Sequence, residues 1–206
     1  MAMADFVFAL LILNVVMARS TKPRPPPMGY NPCMGTPSFG PHVGTCGGSH
    51  PPDEQLVLSI AAALQRTNLS RMGYNLIELD DGWPSGSRNK DTGEIVADSK
   101  LFPTGMRNLS DTLGRMSPPI GLGLYTDRGS TTCGGKPGSA GHELQDVKTY
   151  ARWGVSQIKS DSCSAPSEHH AAIQQYVFVA LMLLDFHAIN ANIQIQVNAG
   201  RHHGTG

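Results

Sequence analysis

Four short apolar runs in this chain each end in a charged or amide residue, and amphipathic stretches lie between them. YNLIEL (74–79) leads into Asp80-Asp81-Gly82-Trp83, and IGLGLY (120–125) into Thr126-Asp127. VSQI (155–158) leads into Lys159-Ser160-Asp161, and IQIQV (193–197) into Asn198. Such lengths suit buried strands. The intervening segments have helical period. Asp53 and Glu54 open one, with Leu56, Ile60, Ala63 and Leu64 as its expected apolar face. Met106, Leu109, Leu113 and Met116 line a second; Leu144, Val147 and Ala151 line a third, which Gly154 stops. A fourth helix is expected over 167–186, where Gln174, Gln175 and Asp185 argue against a membrane span. Strand alternating with helix means right-handed βαβ units and a parallel sheet. A doubly wound sheet and a (β/α) barrel both satisfy that rhythm. The missing GxGxxG after the first run weighs against the dinucleotide-binding version.

In either architecture, sites form at the carboxyl ends of the strands. Asp80, Asp81, Asp127, Lys159 and Asp161 all stand there. Asp127 and the tandem acids also suit loop or capping roles. Neighbours on a strand face opposite ways, so Asp80 and Asp81 converge only if the chain twists. Lys159 and Asp161, two apart, share a face. The lysine is expected to sit beside Asp161 and keep it ionised, as a nucleophile requires. A salt bridge alone is a poor reason to bury both.

Charge and composition exclude several alternatives. Sixteen basic residues balance sixteen acidic ones, so no overall field draws nucleic acid or an anionic membrane. The four cysteines form no CxxC pair, and the doublets His169-His170 and His202-His203 lack a zinc-ligand spacing, so neither metal nor cofactor is expected. Residues 6–16 are apolar except for Asn14 and precede Val16-Met17-Ala18. This reads as a signal peptide over 1–18, and hence a secreted, extracellular protein, although Asp5 and the missing basic residue depart from the pattern. An N-terminal anchor or a mis-assigned start would leave the same trace. Residues 19–27 form a basic, Pro-rich lead-in. Export would open the sequons at Asn68 and Asn108 to glycosylation and the cysteines to oxidation.

The ordered segments MGYN (28–31), GYNLIELDDGW (73–83), FPTGM (102–106), GLGLYTDRGSTTCGGKPGSAG (121–141), DVKTYARWGV (146–155) and IKSDSC (158–163) resemble the N-terminal part of the secreted alpha-galactosidases, the melibiase-type glycoside hydrolases. The resemblance spans 26–163 and thins toward 200. It implies a (β/α)8 barrel, here expected over 28–206 and truncated after about five βα units, and a retaining reaction on alpha-galactosides. It makes Asp161 the nucleophile, with Lys159 bonding the sugar beside it. Asp80 and Asp81 would hold the far hydroxyls, and Tyr125 would line the pocket. It also implies a Cys133–Cys163 disulfide, whose loop closure stabilises by about 3–4 kcal/mol in the chain-entropy model.

This chain departs from the family at several positions. Tyr30 and Cys33 stand where tryptophans wall the sugar, which removes apolar surface. Gly82 replaces the usual cysteine after the paired acids, leaving Cys46 to pair with Cys33 or stay reduced. Ser160 replaces a common aromatic, and residues 193–201 lack the motif that separates galactose from N-acetylgalactosamine. The family's acid/base aspartate follows the sixth strand, and no residue here takes that role. Three readings follow: an alpha-galactosidase or alpha-N-acetylgalactosaminidase, a non-catalytic galactoside-binding relative, or another α/β enzyme with strand-end acids.

Overall fold

In the computed structural model, the residues described are 26–34, 51–164 and 194–197. Five strands form one parallel sheet in sequential order: β1 (Met28–Tyr30), β2 (Tyr74–Leu79), β3 (Gly121–Asp127), β4 (Gln157–Asp161) and β5 (Gln194–Val197). Three helices connect the first four strands: α1 (Glu54–Arg66), α2 (Gly105–Gly114) and α3 (Glu143–Arg152). Parallel neighbours in unbroken order, with helical crossovers, are the arrangement of a (β/α) barrel wall; a doubly wound sheet reverses direction at a switch point. The segment read as a signal peptide, the stretch 167–186 expected to be helical, Cys46, Asn198 and the histidine doublets fall outside the described residues.

Register explains why polar strand ends belong to the sheet. β3 and β4 pair from Gly123 with Gln157 through Tyr125 with Lys159 to Asp127 with Asp161. Both strands thus run two or three residues beyond their apolar runs, because ladder bonds continue where hydrophobicity stops. On β2 through β4, one face carries Ile77, Leu79, Leu122, Leu124 and Ile158 into the core shared with the helices. The opposite parity carries Glu78, Gly123, Tyr125, Gln157, Lys159 and Asp161.

The helices meet the sheet partly as the periodicity requires. Asp53 caps α1 by accepting from Leu56 N at 2.7 Å. Its buried residues are Val57, Ala61 and the expected Leu64, with Ile60 partly buried against the same core, so the face is turned slightly from the expected Leu56 and Ala63. Met106, Leu109 and Leu113 bury as expected on α2, with Met116 packed against them. α3 departs most: Asp146, Thr149 and Tyr150 are buried while Leu144 is exposed. The reason is Arg88, which reaches in from the β2–α2 loop and grips both oxygens of Asp146 at 2.7 Å. Trp83, Tyr150 and Trp153 stack edgewise beside it, and Trp83 Nε1 donates to the Tyr125 carbonyl at 2.8 Å. The loop that begins with the tandem acids is therefore anchored on α3 and β3. Among the described residues, no helix is long and apolar enough to cross a membrane.

Candidate active site

The centre of the site is an ion pair that crosses β3. Lys159 Nζ donates to Asp80 Oδ2 at 2.5 Å and lies 5.0 Å from the Tyr125 ring centroid. Asn31, just past β1, donates to the same oxygen at 2.8 Å, and the Asp81 amide donates to Asp80 Oδ1 at 2.8 Å. Burial pushes the Asp80 pKa up, but the donors, Lys159 foremost, outweigh it and hold the carboxyl below its ordinary range. The expected pairing of Lys159 with Asp161 is thus corrected. Sharing a face brings the two near one another, but the lysine's ion pair is with a residue 79 positions away.

Asp161 is half-buried at the end of β4. Its Oδ2 accepts from the Tyr125 hydroxyl at 3.3 Å and its Oδ1 from Ser162 N at 2.8 Å. Arg128 fixes its backbone, with N and Nε both donating to the Asp161 carbonyl at 3.0 and 3.2 Å. Tyr125 thereby connects the two halves of the site: its ring lies beside the lysine and its hydroxyl meets Asp161. Burial first, then the Asp161 charge, pushes the Tyr125 hydroxyl far above its ordinary pKa, so it remains protonated and can donate.

The tandem acids separate. Asp81 accepts from Thr132 Oγ1 at 2.9 Å and Gly134 N at 2.6 Å, both in the β3–α3 loop, while Asp80 serves Lys159 and Asn31. Gly82 makes the divergence possible with φ at 108°, a conformation that disfavours side chains with a Cβ. Asp127 lies fully buried and clamps loops, accepting from Gly129 N and Cys163 N, each at 2.7 Å. Cys133 and Cys163 are joined in a disulfide with Cα atoms 5.2 Å apart. Cys33 is also disulfide-bonded. Asp127, Cys133 and Cys163 cluster within 4.8 Å, but sulfurs committed to a disulfide offer a metal no thiolate. Asn68 and Asn108 are both exposed, the former in a left-handed turn and the latter on α2. A surface cleft of about 220 Å³ between Gly82, Asp98, Lys100, Gly134 and Lys136 touches none of Asp80, Lys159 or Asp161.

Sequence reasoning missed Glu78, Asn31 and Gln157. Glu78 accepts from Gln157 Nε2 at 2.7 Å and Asn31 Nδ2 at 3.1 Å. Its signal was present: an acid within an apolar strand, sharing the parity of Asp80. Gly123 lies between Glu78 and Gln157 in register, and a Cβ there would come within 3.3 Å of Glu78. The glycine leaves room for the side chains of β2 and β4 to meet.

A half-exposed carboxylate, a tyrosine hydroxyl and a cation paired with a second carboxylate thus stand together on adjacent parallel strand ends. A family model described as Alpha galactosidase A matches residues 48–188. The chain belongs to the alpha-galactosidase family. It is 41% identical to Alpha-galactosidase A of Cellvibrio japonicus over 138 residues, covering 67% of this chain and 30% of that protein. It is 42% identical to an alpha-galactosidase of rice over 113 residues, covering 54% of this chain and 26% of that protein. Alpha-galactosidase I of Mortierella vinacea superposes with a TM-score of 0.62 at 29% identity, covering 75% of this chain and 38% of that one. The Saccharomyces cerevisiae alpha-galactosidase, determined with raffinose, gives 0.63 at 31% identity, covering 76% and 32%. This chain thus spans roughly a quarter to two fifths of these four relatives, and its half-barrel is part of the (β/α)8 barrel of this family.

Proposed function

We propose that this chain carries the galactose-holding and nucleophilic half of a retaining alpha-galactoside hydrolase. Asp161 would attack the anomeric carbon as the glycosidic bond to the leaving oxygen breaks, giving a galactosyl ester that water then cleaves. Lys159 and Asp80, each already ordered by the other, would meet the sugar hydroxyls, with Asp81 bordering them through the Thr132–Gly134 loop. The Tyr125 hydroxyl would hold Asp161 in its attacking orientation. One observation carries this reading: a half-exposed Asp161 is tied through Tyr125 to the Asp80–Lys159 pair in a member of this family. The leaving oxygen also needs a proton, and no described residue is assigned that role.

The test is hydrolysis of a nitrophenyl alpha-galactoside by the purified chain. Turnover that Asp161→Asn reduces by at least a thousandfold, the scale on which loss of a nucleophile operates, supports the reading. Turnover untouched by Asp161→Asn rejects it. Saturable galactose binding without turnover points instead to a galactoside-binding relative. That second reading draws support from Glu78, Asp80, Asp81 and Asp127, whose carboxylate oxygens all accept from protein donors and so are poorly placed to protonate a leaving group. Parallel trials with alpha-galactosaminide substrates separate galactose from N-acetylgalactosamine. The export reading of 1–18, with sugars on the exposed Asn68 and Asn108, is checked by deglycosylating secreted protein and looking for a mass shift.

A further inference from the structure

Lys159 shares its strand face with Asp161, two positions on, and looks across β3 to Asp80. It bonds Asp80. Asp81 and Asp127, closer to the mouth, are committed to loop donors. At the floor, Glu78 adds a second carboxylate to Asp80, held near it by the one amide that both share, Asn31 Nδ2. Gln157 fixes the other oxygen of Glu78.

We propose that Glu78 is a positioning residue: with Asp80 it holds the Lys159 ammonium at the floor of the site and away from Asp161, leaving the Asp161 carboxylate open to the anomeric carbon. The proposal rests on the reading of Asp161 as nucleophile. A carboxylate in a barrel layer that ordinarily holds branched apolar side chains breaks a packing rule, and such breaks concentrate at functional sites. Burial works against its ionised form while Lys159 favours it, so Glu78 and the lysine are electrostatically coupled. The competing account is purely structural, with Glu78 only tying β1, β2 and β4 together through its two amide partners.

Glu78→Gln separates the accounts, because it keeps the shape and removes the charge: its oxygen still accepts from Asn31, and the Gln157 amide turns over to accept from the new NH2. Two readouts on the full chain are used. A crystal structure of the variant locates Lys159. A galactose-configured cyclitol epoxide labels the nucleophile: the Asp161 oxygen forms an ester to a ring carbon, the epoxide C–O bond opens, and its oxygen takes a proton from solvent. Peptide mass spectrometry follows the adduct. The proposal expects Lys159 on Asp161 in the variant and labelling slowed about tenfold, with Glu78→Asp restoring both. Lys159 still on Asp80, or an unchanged labelling rate despite its movement, overturns it. A wild-type chain that takes no label at Asp161 removes the nucleophile reading and, with it, the proposed purpose, whereas a labelled wild type with an unmoved Lys159 removes only the role of Glu78. Should Glu78→Gln fail to fold, Asp80→Asn removes the other floor charge and must also send Lys159 toward Asp161; a lysine that stays at the floor in that variant overturns the proposal.

Discussion

Lys159 and Asp80 meet at 2.5 Å across an intervening strand, and the pair leaves Asp161 with only a backbone amide and a tyrosine hydroxyl as its hydrogen-bond donors among the described residues. A cation on the same strand face as a carboxylate, but bonded elsewhere, can favour negative charge in the site without occupying that carboxylate's oxygens.

The Asp80 carboxyl titrates below its ordinary value near 3.8, so the stability it contributes is present above that value and lost as pH falls through the lower, folded one. Lys159→Met removes the leading donor, so the folded pKa rises and the stability that the ionised Asp80 contributes shrinks. Melting curves should place the variant below the parent at neutral pH, with the gap narrowing as pH falls through the acid range and Asp80 protonates.

Glu78 carries the opposite sign. Its folded pKa lies above the ordinary 4.5, chiefly through burial, with Lys159 pulling it partly back. Its ionisation therefore costs stability as pH rises through that range. Glu78→Gln should raise the melting temperature relative to the parent more at pH 7 than at pH 4. An equal difference at both would show that Glu78 is no more burdened by burial than a surface acid.

Arg88 and Asp146 form a fork whose acid is almost wholly buried. Arg88→Met strands that carboxylate, and breaking such a pair costs about 3–5 kcal/mol. Urea denaturation should show the loss, with Asp146→Asn in the Arg88→Met background recovering part of it.

The Cys133–Cys163 bridge closes a separation of 30 residues, and the Tyr125 hydroxyl lies 3.2 Å from Cys133 Sγ. Replacing both cysteines by serine should cost about 3–4 kcal/mol and weaken galactose binding, since the same loops carry Asp81's partners. Isothermal titration beside thermal melting reads both effects; an unchanged affinity would separate the bridge from the site.

Local pattern already contained much of this molecule. Strand-length apolar runs ending in polar residues, separated by helical periods, fix a parallel α/β wall. The same runs place Asp80, Asp81, Lys159 and Asp161 at its functional edge, because strand parity and strand ends are properties of consecutive residues. Partners are not. Lys159 bonds Asp80 and not Asp161, Asp146 buries because Arg88 arrives from 58 positions away, and Asp81 turns to a loop that Gly82 lets it face. Glu78 reads in sequence as part of an apolar strand; only the neighbouring strand's Gly123 opens the space through which it meets Gln157. Each of these depends on register between strands and on loops closing over them. Chain segments far apart in sequence meet only when the sheet assembles, so the ion pairs of the site were decided by tertiary structure, while its residues and their edge were set by sequence.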